Sequence, residues 1–318
     1  MIFSLKMIQF SQVYEVCMSI ESQGLSLYEA ARQKGIPFTS HNAPTDCTLS
    51  VRDMTFHYLE WGNPNDPTIL MLHGNAQQAH SWDFISLPLS EQYHVIALDQ
   101  RGHGDSDWSN QQDYSTQEQV KDIDGIVSNL KLDNFHLIGH SMGGRNSYAW
   151  ASQNSHKLAS LTIVDTGPDT ESLGRRRMQQ FKSLPDELDS FEEFANRIQS
   201  YTGRPIEQVL GSLKYNIRER SDGKWSWKYD KIMRHPDYQS QTIPSSELWE
   251  MITQIHCPTL IIRGANSDVF NSDTMNKMRN TIANCIITTV DNAGHLVQGD
   301  NPVGFLQEYQ QFLKKISN

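Results

Sequence analysis

The sequence predicts an α/β chain: a mostly parallel central sheet flanked by helices, with a helical cap inserted late in the chain. Three observations carry that prediction. Short uninterrupted apolar runs recur at 68–72 (TILML), 95–98 (VIAL), 161–164 (LTIV) and 259–262 (TLII), and each suits a strand covered on both faces. Val120, Ile123, Val127 and Leu130 step by three, four and three, one face of a helix lying between two such runs. Ninety-four positions (259 minus 165) separate Asp165 from Thr259, far more than one crossover helix needs.

Taken in order, residues 1–44 read as an N-terminal extension in which Leu25, Tyr28, Ala31 and Ile36 share a helical face. Residues 45–168 and 251–318 form the core, and 169–250 the cap. The alternation in Thr55-Phe56-His57-Tyr58-Leu59 predicts a half-buried strand after the turn at Arg52-Asp53. The run at 68–72 ends in His73-Gly74-Asn75, and the run at 95–98 ends in a charged, glycine-rich turn, DQRGHGDS at 99–106. Open parallel sheets place their ligands at such strand ends. A further apolar run at 134–138 leads into Gly139-His140-Ser141-Met142-Gly143, a G-x-S-x-G pattern at a strand-to-helix turn. Within the cap, helical patterns fall at 175–184, 190–201, 205–218 and 245–255. A strand at 286–290 leads to Asn292-Ala293-Gly294-His295, and Leu306, Tyr309, Leu313 and Ile316 share one face of a closing helix.

Composition excludes several functions. The chain has 318 residues, 37% hydrophobic and 20% charged, with a formal net charge of -10. A phosphate-binding surface needs clustered cations, so nucleic acid and anionic membrane are poor partners and a small molecule is the better one. No apolar run reaches the ~18 residues of a membrane span. Cys17, Cys47, Cys257 and Cys285 show neither a C-x-x-C pair nor a disulfide framework. Lys6 interrupts the apolar opening MIFSLKMIQF, Glu15 follows, and no small-residue cleavage site closes it, so the expected location is cytoplasmic. Histidines and cysteines lack metal-ligand spacing, and neither metal nor cofactor is expected. Oligomeric state is not legible.

A serine hydroxyl becomes a useful nucleophile when a base takes its proton and a third group orients that base. Ser141, an acidic residue and His295 all follow strands, in the chain order serine, acid, histidine. Taken together, HGN at 73–75, DQRGHGDS at 99–106, GHSMGG at 139–144, RGANSD at 263–268 and NAGH at 292–295 resemble the motifs of the α/β-hydrolase family with a helical lid, over most of residues 48–315. That resemblance implies Ser141 as nucleophile, His295 as base and Asp268 as the acid. Asp165 also ends a strand and is the alternative acid. The amides of Asn75 and Met142 are implied as the oxyanion hole. Trp82, Trp225, Trp227 and Phe270 are candidates to line the substrate pocket, although lid aromatics equally form the lid's own core.

The implied activity is hydrolysis of a small-molecule ester or lactone through an acyl-enzyme. Members with the same triad also cleave carbon-carbon bonds, act as perhydrolases or cofactor-free oxygenases, or serve as ligand receptors. Serine at position 141 argues against haloalkane dehalogenase and epoxide hydrolase chemistry, which use aspartate there.

Overall fold

A computed structural model describes residues 24–317 apart from 170, 172–173, 175, 177–179, 181–182, 204, 236–237 and 239–242. Its first element is α1 (Leu27–Gln33), started by a capping box in which the Ser26 side chain accepts from Glu29 N and the Glu29 carboxylate accepts from Ser26 N. Two antiparallel strands, β1 (Thr45–Val51) and β2 (Met54–Trp61), turn at Arg52-Asp53 as the sequence implied. The chain then alternates: β3 (Thr68–Leu72), α2 (Asp83–Leu89), β4 (His94–Leu98), α3 (Thr116–Asn129), β5 (Phe135–His140), α4 (Met142–Asn154) and β6 (Leu158–Val164). Ser115 caps α3 by accepting from Glu118 N, which explains why the periodic face at 120–130 starts where it does.

The cap follows. It contains β7 (Glu187–Leu188), α5 (Phe191–Thr202), α6 (Ile206–Leu213), β8 (Ile217–Glu219), β9 (Trp225–Trp227) and α7 (Ser245–Ile252). The core resumes with β10 (Thr259–Gly264), α8 (Ser272–Thr281), β11 (Cys285–Val290), the short α9 (Val297–Asp300) and α10 (Pro302–Ile316).

Eight strands form the main sheet in the order β1-β2-β4-β3-β5-β6-β10-β11. Every pair from β4 to β11 is parallel, and only β1 and β2 run against their neighbours. Along β3 the side chains alternate between two cores: Leu70 and Leu72 join α3, α4 and α7 on one face, while Ile69 and Met71 join α1, α2 and α10 on the other. Helices therefore cover both faces, which is why the central strands read as continuous apolar runs rather than as alternating ones.

The cap departs from the all-helical expectation. The pattern at 205–218 breaks after Leu213, and β8 and β9 pair antiparallel across a turn at Asp222-Gly223, with β7 adding a third strand. Phe194, Val209, Leu213 and Trp227 pack into a core of their own beneath this small sheet. Most of the expected helix at 175–184 lies outside the described residues. None of the described helices is long and apolar enough to cross a membrane.

Candidate active site

Register sets the functional side chains side by side. His140 pairs with Val164 and Val164 with Ile262, so the carboxyl ends of β5, β6 and β10 finish level with one another. The chain turns sharply at each. Ser141 takes φ 52° and ψ -112°, and Asp165 takes φ 51°. Such left-handed conformations cost a non-glycine residue about 1–3 kcal/mol and are held only where the surroundings enforce them. Here Ser141 N donates to Val164 O at 3.0 Å, Asp165 N to Ile262 O at 2.8 Å, and Gly143 N to His73 O at 3.1 Å. Two glycines make the turn possible: a Cβ on Gly139 would lie 2.3 Å from Gly143 O, and one on Gly143 would lie 2.4 Å from Leu72 O.

The loop after β11 delivers His295. Its Nε2 stands 3.0 Å from Ser141 Oγ, and its Nδ1 stands 2.8 Å from Asp165 Oδ2. With the ring proton on Nδ1, the imidazole donates to the carboxylate and accepts from the serine hydroxyl. Asp165 is fully buried and has further donors: Gly264 N at 2.9 Å on Oδ1 and Ser267 Oγ at 2.5 Å on Oδ2.

The sequence expectation placed Asp268 against the histidine, and the geometry corrects it. Ser267, the residue before Asp268, directs its hydroxyl at Asp165, so the RGANSD loop supports a carboxylate from the adjoining strand. Asp268 stands half-buried in that loop, where its carbonyl accepts from Gly174 N at 3.0 Å.

His140 lies behind the His295 ring, 4.7 Å between centroids, and its Nε2 donates to the His295 carbonyl at 2.8 Å. Burial, followed by the neighbouring His295, drives its pKa well below the usual histidine range, and its hydrogen bond holds the backbone of the loop that carries His295. The turn at 99–106 is a hydrogen-bonded brace. Gln100 N donates to His73 Nε2 at 3.0 Å, and the Gln100 amide donates to His73 O at 2.6 Å, which ties this turn to the HGN loop. Arg101 is paired with Asp122, and His57 with Asp99.

Among the described residues, His57, Asp99 and Asp105 offer ligand atoms within 4.8 Å of one another. His57 Nδ1 is already engaged by Asp99 at 2.8 Å and Nε2 by Asp46 at 3.1 Å, so the cluster is accounted for as an ion-pair network running from buried Asp99 to the surface.

A cavity of about 520 Å³ opens over Ser141, walled by Asn75, Met142, Arg145, Asp169 and Ser245 among others. The amides of Asn75 and Met142 donate to no other group among the described residues. None of the four predicted pocket aromatics belongs to this cavity. Trp82 is fully buried against Phe305 beneath the sheet, and Phe270 is buried in the opposite core, behind Gly167. Trp225 packs edge-on against Phe191 at 5.4 Å and faces a separate space of about 450 Å³ beside the N-terminal segment. Trp227 meets Phe194 at 4.8 Å in the cap core and borders another space of about 300 Å³. The large aromatics instead bury their apolar area in the cap and on the sheet. Arg145, Asp169 and Ser245 escaped the sequence reading because only the cap's placement brings Ser245 to the others.

The fold and this arrangement at the strand ends define the class. Residues 67–302 match the family model described as alpha/beta hydrolase fold, and the chain belongs to that family. It is 26% identical over 289 residues to Esterase Rv0045c of Mycobacterium tuberculosis, covering 88% of this chain and 92% of that protein. It is 28% identical over 278 residues to a putative 2-succinyl-6-hydroxy-2,4-cyclohexadiene-1-carboxylate synthase of Bacillus subtilis, covering 84% of this chain and 98% of that protein. The crystal structure of the Mycobacterium tuberculosis esterase superposes with a TM-score of 0.75 at 23% identity, over 91% of this chain and 96% of that one. These relatives support a hydrolase acting on a small molecule.

Proposed function

We propose that the protein is a serine hydrolase that cleaves a small-molecule ester or lactone through an acyl-enzyme. The observation that carries this reading is the hydrogen-bonded line from Ser141 Oγ to His295 Nε2 and from His295 Nδ1 to Asp165 Oδ2, at the floor of a cavity. Ser141 Oγ attacks the substrate carbonyl as its proton passes to His295 Nε2. Asp165 holds the ring in the required tautomer and stabilises the imidazolium. Negative charge builds on the carbonyl oxygen, and the amides of Asn75 and Met142 receive it; Met142 also opens α4, where the helix dipole favours an anion. His295 then returns the proton to the leaving alcohol. Water, deprotonated by the same histidine, frees the acid and restores Ser141.

This assignment takes Asp165 as the triad acid in place of Asp268. It requires neither metal nor cofactor. Free thiols at Cys47, Cys257 and Cys285 fit the cytoplasmic location proposed for the enzyme.

The reading is tested with a panel of short and long acyl esters, lactones and carbon-carbon hydrolase substrates, with Ser141→Ala run beside the wild type. Steady turnover of an ester or lactone, reduced about a thousandfold or more in Ser141→Ala, is the expected result. Turnover confined to carbon-carbon substrates would assign the other reaction class. Binding without turnover would make the protein a receptor.

A further inference from the structure

Arg145 stands out among the walls of the Ser141 cavity. It lies in the first turn of α4, its backbone N–H donates to Ser141 O at 3.0 Å, and both residues line the cavity. Its side chain is half-buried, and it makes no hydrogen bond or ion pair among the described residues. An arginine always carries its charge and offers five donors, so leaving it unpaired in a partly desolvated cavity is unfavourable.

Two further features sharpen this. The first turn of a helix is the wrong end for a cation, and α4 holds no acidic residue there to compensate. Asp169, the other charged wall, keeps its charge but has both oxygens engaged away from Arg145, Ser245 Oγ donating to its Oδ1 at 2.5 Å and Trp249 Nε1 to its Oδ2 at 3.1 Å. In a chain of net charge -10, the helix N-terminus and Arg145 together make this cavity locally anion-seeking. The planar guanidinium matches a carboxylate by two parallel N–H donations.

We infer that Arg145 receives a carboxylate carried by the substrate, so that the preferred substrates are half-esters of dicarboxylic acids. The inference rests on the hydrolase reading above. The reaction remains ester plus water giving acid plus alcohol; the second carboxylate is a spectator that anchors the acyl group with its ester carbonyl over Ser141.

The test compares kcat/KM for monomethyl succinate, glutarate and adipate with that for neutral methyl pentanoate and hexanoate, in the wild type, Arg145→Gln and Arg145→Lys. The expected wild-type preference for at least one half-ester is about ten- to a hundredfold, the worth of one charge-assisted contact. It collapses toward unity in Arg145→Gln and is partly kept in Arg145→Lys. A wild type that cleaves neutral esters equally well, or a preference that survives in Arg145→Gln, overturns the inference while leaving the hydrolase reading intact. Calorimetric titration of Ser141→Ala with glutarate gives an independent readout: binding lost in the Ser141→Ala, Arg145→Gln double variant supports the contact even if no ester is turned over. Absence of glutarate binding in Ser141→Ala together with absence of wild-type preference contradicts it.

Discussion

His295 Nδ1 lies 2.8 Å from Asp165 Oδ2, and Asp165 is also held by Gly264 N and Ser267 Oγ. In the proposed triad the acid thus comes from the end of β6, beside the strand that leads to Ser141. Asp165→Asn is expected to lower kcat by about 10³- to 10⁴-fold, because an amide at this position favours the wrong ring tautomer. Asp268→Asn is expected to cost less than about tenfold, and Ser267→Ala about tenfold through one lost charge-assisted hydrogen bond. Steady-state kinetics on the three variants decide the matter. A larger loss in Asp268→Asn than in Asp165→Asn would return the acid role to Asp268.

The elbow makes a prediction about stability. A Cβ on Gly143 would come 2.4 Å from Leu72 O and 2.6 Å from His73 O, and both contacts are with backbone that cannot swing away. Gly143→Ala should therefore cost more than about 2 kcal/mol and lower Tm by several degrees, with loss of activity as β3 and α4 separate. Thermal denaturation and ester turnover of the purified variant check both effects. Unchanged values in both would mean the turn is looser than its geometry requires.

A pH dependence of stability follows from His57. Burial opposes its charge, but the hydrogen bond and charge of Asp99, helped by Asp46 and Asp105, outweigh that and raise its pKa above the usual 6.5. A histidine whose folded pKa is raised stabilises fully below its unfolded pKa, and that contribution is lost as pH rises through the folded pKa. The Tm gap between wild type and His57→Gln should therefore be widest near pH 6 and narrow as pH climbs above 6.5. Scanning calorimetry between about pH 6 and 9 tests this; a gap that widens with pH would reverse the sign.

Much of the core was legible because each buried strand ended in a loop with its own motif. The run at 259–262 became Thr259–Gly264, and that at 68–72 became Thr68–Leu72. The seats of Ser141 and His295 followed from such strand ends. The choice of acid did not, because two aspartates followed neighbouring strands and only the folded contact of Asp165 with His295 separates them. The cap was harder still. Its three-stranded sheet uses strands of two or three residues, too short for any periodicity to show. Trp225, Trp227, Trp82 and Phe270 advertise burial but not direction, and all four packed away from the cavity. Arg145 gave no signal in sequence, since an arginine on a helix reads as a solvated face until its place in the Ser141 cavity is seen.

The central claim is that Ser141 is an activated nucleophile, and covalent labelling tests it most directly. Wild-type protein treated with a fluorophosphonate and digested for mass spectrometry should carry one adduct, on the peptide containing Ser141. Ser141→Ala should remain unlabelled, and His295→Ala should label far more slowly. An unlabelled wild type, or equal labelling of wild type and Ser141→Ala, would contradict the account.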